Sequence, residues 1–279
     1  MPSNRAGVAT LALVRDTFRE AFARKIFWGF FGCSTALILF FLFLMHIDVV
    51  EGALATISLF GKEGRAQDVD RLVRGVHGSI AAFLYSVGLF LAVFASAGLI
   101  PTIFEPGRIE LLLSKPVSRT HILLGRYLGN LLVIAFNMAY LVVAVWIIFG
   151  VKTGIWTHQF LYSTGITIFV FAILLSVVLL MAVLFESAVP ATMVTFGVMI
   201  ASVLLGQKST LERLLTSEWS RDVVRTLYYV FPKVWDLGNL GRELAMGQPI
   251  ESWMPVWSSA LFGAVVLGCG LLVFEKRSF

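Results

Sequence analysis

Long apolar runs separated by short charged segments dominate the chain. Six of them reach the roughly 20 residues that a helix needs to cross about 30 Å of hydrocarbon. They cover residues 26–45, 79–103, 127–149, 161–184, 188–205 and 255–274, the fifth being the shortest, and none contains Asp, Glu, Lys or Arg within those bounds. The pattern predicts an all-α, polytopic membrane protein whose six-helix domain occupies residues 26–279. Ahead of it, Leu11, Val14, Phe18, Ala21 and Phe22 share one helical face, while Arg15, Asp16, Arg19 and Glu20 share another. Residues 1–25 are therefore expected to hold an amphipathic helix lying in the membrane interface, at its plainest an anchor. A charged stretch precedes the first run and no small-x-small cleavage pattern follows it, so a retained span is expected rather than a signal peptide.

Composition agrees with the pattern. Of 279 residues, 58% are apolar and 14% charged, against about 25% charged in soluble domains, which argues against a soluble enzyme. The two cysteines, Cys33 and Cys269, lie far apart in apolar runs without metal-ligand spacing and read as packing residues. His46, His77, His121 and His158 are scattered over loops and span ends, so no metal site is expected. The sequence lacks GxxxxGK[ST], HExxH, GxSxG and a Rossmann glycine pattern, which leaves no catalytic residue and no nucleotide cradle on this chain. Ionisable groups inside a bilayer are kept mainly where protons or ions are handled. Their absence from the six runs places any energy source outside the chain.

The net charge of +5 bears on orientation rather than on nucleic acid, because no basic run is interleaved with aromatics. Six spans put both termini on one side. That side has eleven Lys and Arg in short segments close to the spans, whereas the other side has eleven diluted over longer, acid-balanced loops. Both termini are thus expected in the cytoplasm, and the protein in the plasma (inner) membrane.

The densest signal lies between the second and third runs, EPGRIELLLSKPVSRTHILLGRYLG over residues 105–129. Glu105-Pro106-Gly107 breaks the preceding span, a short apolar helix is expected from Arg108 to Ser114, and Lys115-Pro116 stops it. Ser118 can cap the next helix. A short helix held between two breaks could offer its charges to a partner, or serve as a plain connecting turn.

This loop resembles the coupling-helix region of ABC-2 type transporter permeases. The matching pieces are Glu105, Gly107, Leu111 to Leu113, Ser114-Lys115-Pro116-Val117-Ser118-Arg119 and the Leu-Leu-Gly-basic-aromatic-Leu-Gly run at Leu123 to Gly129. The stretch Asp16 to Phe27 is similar to the helix leading into span one in the six-span branch, which includes the permease of the nitrous-oxide-reductase maturation transporter. The resemblance implies a separate ATP-binding subunit carrying ATP and Mg, a second permease copy in a homodimer, and export. It also implies that Glu105, Gly107, Arg108, Glu110, Leu113, Ser114, Lys115, Pro116, Ser118 and Arg119 contact that ATPase, flanked by Arg15 and Arg19. Glu186, in the turn between spans four and five, would be a smaller second contact or the solvated carboxylate of a tight hairpin.

Outside, Ser209-Thr210-Leu211-Glu212 reads as a capping box, with a helical pattern to Pro232 and a second helix over 233–246. Family resemblance makes Tyr228 and Phe231, with Trp219, Tyr229 and Trp235, candidates for an outer gate, although aromatics at this depth also serve as belt anchors. Asn137 and Tyr140 would line a pathway or make interhelical hydrogen bonds. Residues 48–77 read as a solvated connection or a contact for an extracytoplasmic partner. Small residues at Gly88, Ala92 and Ser96, at Ala260, Ala264 and Gly268, and at Gly197 and Ala201 allow close helix approach. Family resemblance puts the subunit interface near spans one and five. The reading is an ABC-type permease in contact with membrane lipid. Its rivals are a mechanotransmitter acting on an extracytoplasmic partner and a scaffold or assembly factor that transports nothing.

Overall fold

The computed structural model describes residues 15, 16, 19, 20, 22, 23, 25–50, 54–59, 62, 63, 67–98, 100–104, 118–215 and 217–277. Among them, five helices are long and apolar enough to cross a membrane: α2 (Val69–Ala97), α3 (Arg119–Thr153), α4 (Gln159–Phe185), α5 (Ala188–Gly206) and α9 (Met254–Lys276). A shorter apolar helix, α1 (Lys25–Leu39), continues through a wide π turn at Phe40–Leu44. The membrane body is therefore all-helical and polytopic.

Its centre is α4. That helix is apolar on all sides, has no polar face to give to water, and is buried by α9, α3, α5 and α2 together with the shorter helix α8 (Val234–Ala245). Packing against α9 uses small residues, but one register away from the predicted stripe. Ser259, Gly263 and Gly270 are buried, and a Cβ at Gly263 or Gly270 would come within 3.1 Å of Ile173 or 2.7 Å of Leu179. Gly268 faces open space and Ala264 is exposed, so Ala260, Ala264 and Gly268 do not form the close-packed seam. On α2 the predicted stripe does pack, with Gly88, Ala92 and Ser96 buried. Cys33 and Cys269 are exposed on the outside of α1 and α9, which corrects their reading as packing residues.

Helix α2 begins ten residues before the apolar run. Asp68 caps it by accepting from the Asp70 N–H at 2.9 Å, and Val69, Leu72, Val73, His77, Ile80 and Ala81 are buried on its inner face. His77 is thus a core residue. It shares a 2.7 Å hydrogen bond with Thr157 and stacks on Phe160 at 4.3 Å. Preceding α2, four short strands form a small antiparallel sheet. β1 (Met45–Val50) pairs with β2 (Leu54–Leu59) from Met45↔Leu59 to Val50↔Leu54, and β3 (Lys62–Glu63) and β4 (Gln67–Asp68) both pair with β2. The carbonyls freed where α1 widens are met by Lys152 near the end of α3, whose ammonium donates to Phe41 O at 2.9 Å and Leu42 O at 2.8 Å.

Beyond α5 come α6 (Lys208–Leu214), α7 (Glu218–Val230) and α8. The expected capping box does not cap: Ser209 lies inside α6, which starts at Lys208, and the Glu212 carboxylate takes Arg225 Nε at 2.9 Å.

Candidate functional site: the charged end of the bundle

Helix α3 starts as the sequence predicts. Ser118 is its N-cap, accepting from the His121 N–H at 3.4 Å, and its hydroxyl also bonds the His121 ring. At 35 residues α3 is about 52 Å long, well beyond a hydrocarbon core of about 30 Å, so it projects past the apolar layer. Its first two turns carry Arg119 and Arg126, which lie seven residues apart and therefore close to one helical face.

Each arginine holds a different end of the chain. Arg126 is 1% exposed, and its guanidinium donates to the Glu20 carboxylate and pairs with Asp16 at 3.5 Å. Glu20 also accepts from Thr102 Oγ1 at 3.1 Å, in the short 3-10 turn Pro101–Phe104 that follows α2. Arg119 donates to the Arg277 carbonyl at the far end of the chain. Arg277 in turn pairs with Glu186 at 2.6 Å and donates to the Val183 carbonyl. Five segments therefore converge at one end of the bundle: the N-terminal helix, the turn after α2, the start of α3, the α4–α5 turn and the end of α9. Arg126 lies one residue before the apolar run 127–149, outside the charge-free bounds, and the fold buries it.

Glu186 occupies the left-handed region at φ 52, the only non-glycine to do so among the described residues. This conformation lets α4 reverse tightly into α5. Its carboxylate is held by Arg277 and is not simply solvated. Arg15 and Arg19 are exposed on the N-terminal helical stretch. The expected contacts Glu105, Gly107, Arg108, Glu110, Leu113, Ser114, Lys115 and Pro116 lie outside the described residues, as do Leu11, Val14, Phe18 and Ala21. Thr102 and Ser118, which flank the 105–117 segment, are both fixed.

The same face of α3 continues inward as Asn130 and Asn137, both fully buried. Asn130 donates to Ser96 O on α2 at 3.4 Å, and Asn137 accepts from Ser34 on α1 at 2.9 Å. Tyr140 stacks on Phe31 at 4.8 Å and lies 3.4 Å from the Thr35 hydroxyl. Both pathway candidates thus make interhelical contacts in the described structure. Sequence reasoning missed Asp16, Glu20, Thr102, Arg126 and Arg277 as a connected set. Asp16 and Glu20, four residues apart on one face, were the available signal.

At the opposite end, α7 and α8 meet at Phe231-Pro232-Lys233. Ser202 of α5 donates to Pro232 O at 2.6 Å and accepts from the Val234 N–H at 2.7 Å, while Ser259 of α9 accepts from the Lys233 N–H at 2.9 Å. Tyr228 is buried and donates to Asp236 at 2.6 Å; Lys233 Nζ donates to Tyr228 O at 3.2 Å. Burial pushes the Lys233 ammonium below its ordinary value, and burial with the Asp236 bond pushes the Tyr228 phenol up. Phe231 is half-buried at the break, and Trp219 and Tyr229 are exposed. A cavity of about 480 Å³ opens between α2, α5 and α8, lined by Tyr85, Leu89, Met199, Val203, Trp235 and Arg242 among others.

A family model described as ABC-2 family transporter protein matches residues 11–279. That description covers the family and carries no mention of the nitrous-oxide-reductase branch. No curated protein matches the chain.

Proposed function

We propose, because this chain belongs to the ABC-2 family of transporter proteins, that it is the membrane permease subunit of an exporter whose ATP is hydrolysed on a separate subunit docked at the charged end. Permease and integral membrane protein follow from the family and the apolar helices; the docking side, the direction and the partner copy are our reading. The observation that carries it is the convergence of Arg126, Glu20, Thr102, Arg119, Arg277 and Glu186 around the two flanks of segment 105–117.

A push on that segment is delivered at once to the turn after α2 and to the first turn of α3. A rigid lever between two states is what coupling needs. Glu105 to Arg119 would form the main contact and exposed Arg15 and Arg19 would flank it, with Glu186 acting through the shape that Arg277 gives its turn. The density of basic residues in short segments puts this end in the cytoplasm. A second copy would pack along α5, where Met193, Ile200 and Leu204 are exposed and Gly197 has nothing within 4 Å. The mechanotransmitter reading gains support from the outer sheet and from the exposed Trp219 and Tyr229.

The test is affinity purification of the tagged chain in mild detergent, with identification of the proteins that co-purify and an ATPase assay on the complex. We expect an ATPase to co-purify, and a Glu110→Ala/Arg119→Ala double variant to lose it while still inserting. Undiminished co-purification of the double variant would remove those charges from the contact.

A further inference from the structure

The geometry points to Arg126 as a positioning residue: its buried charge ties the N-terminal helix to the corner between α2 and α3, so that the three move as one body. This inference rests on the coupling reading for its use, but the tether itself stands on contacts alone.

A guanidinium that is 1% exposed at the edge of the apolar layer is costly unless paired. Its charge partners in the described structure come from the N-terminal helix: Glu20, 15% exposed at the side chain, and Asp16, 57% exposed. The N-terminal helix therefore cannot leave α3 without stranding a buried cation. Glu20 is bidentate in effect, one oxygen toward Arg126 on α3 and the other toward Thr102 after α2. These two anchor points bracket segment 105–117. A carboxylate that bridges both sides of a loop keeps their separation fixed, and whatever displaces the loop must carry the N-terminal helix with it. An interfacial helix that merely anchors would need none of this, since apolar contact with lipid suffices for that task. The asymmetry within the pair is also informative. Half-exposed Asp16 can be spared, whereas Glu20 is enclosed, so Glu20 is the group on which the tether depends.

The experiment uses the full chain with its ATPase in nanodiscs, with Cys33 and Cys269 replaced by Ala and spin labels placed at Ala23→Cys and Thr120→Cys. Ala23 and Thr120 lie outside the ion cluster. We expect one narrow distance between the labels, unchanged between nucleotide-free and ATP-trapped states. Glu20→Lys and Arg126→Glu should each broaden it and lower the coupled ATPase rate roughly tenfold. The Glu20→Lys/Arg126→Glu exchange and Arg126→Lys should narrow it again. Glu20→Lys and Arg126→Glu variants that stay narrow, or exchange and Arg126→Lys variants as broad as those two, would overturn the tether. A chain that shows the expected distances but recruits no ATPase would keep the tether and remove the coupling reading.

Discussion

The two ends of the bundle are joined by different chemistry. At the charged end, guanidinium–carboxylate pairs link segments about a hundred residues apart, and several members are reachable by water: Asp16 is 57% exposed at the side chain, Glu186 42% and Arg277 33%. At the opposite end, buried neutral hydroxyls of Ser202 and Ser259 satisfy the backbone at the Pro232 break, deep between α5 and α9. Exposed ion pairs are weak and exchangeable, while backbone groups buried away from water must stay paired. The exposed pairs of the charged end can be exchanged at little cost, whereas the opposite end must hold its shape. Arg126 is the exception that joins the two styles, a fully buried charge in an otherwise exchangeable cluster.

The largest effect should come from that exception. Replacing Glu20 by Leu leaves the buried Arg126 cation only the half-exposed Asp16 at 3.5 Å, a loss approaching the roughly 3–5 kcal/mol that follows removal of one partner of a buried pair. It should appear as a large drop in thermal stability of the detergent-solubilised chain. Equal stability of Glu20→Leu and the native chain would place Arg126 in contact with water or lipid headgroups. Ser202→Ala comes next. It removes both bonds of the hydroxyl and leaves the Pro232 carbonyl and the Val234 N–H only each other, at 3.0 Å, a loss of about 1–3 kcal/mol for two hydrogen bonds, and amide exchange at Val234 should accelerate. A comparable loss is expected for Gly270→Leu, which overpacks α9 against Leu179, typically by 1–3 kcal/mol. Glu186→Gln should cost no more than about 1 kcal/mol, because its pair with Arg277 is half-exposed and screened.

The smallest signal is alkaline. Lys233 has a folded value below its unfolded one, so the unfolded chain binds more protons and stability rises with pH from that lowered value upward. Tyr228, shifted the other way, reverses the trend once tyrosines of the unfolded chain begin to ionise, at about pH 10. A Lys233→Met variant should lack the rise in a stability–pH profile.

Much of this contrast is written in the sequence, but unevenly. Five spans and the shorter apolar helix α1 were legible because apolar runs of 18 to 25 residues leave few alternatives, and Ser118 was legible because a cap is a local device. The helix expected over 233–246 forms as α8. The early start of α2 was hidden, since Asp70, Arg71 and Arg74 are interleaved with Leu72 and Val73, and only the tertiary fold shows which face is inside. The α9 seam was missed for a related reason. Small residues recur on several faces of that helix, and the packing partner α4 selects Gly263 and Gly270. Arg126 is visible as the basic member of a motif, yet its pairing with Glu20 spans 106 residues, beyond the reach of any local pattern. His77 was read as a loop residue because nothing within a few positions announces Thr157 and Phe160.

The most direct test of the contrast is side-specific cysteine labelling in sealed vesicles, comparing Thr120→Cys at the charged end with Trp219→Cys, whose native side chain is 75% exposed, at the opposite one, in a chain whose own two cysteines have been replaced. The account expects Thr120→Cys to react only from the cytoplasmic side and to be protected when the ATPase is bound, with Trp219→Cys reacting only from outside and indifferent to the ATPase. Reaction of both from one side, or an ATPase that protects Trp219→Cys and leaves Thr120→Cys open, would contradict it.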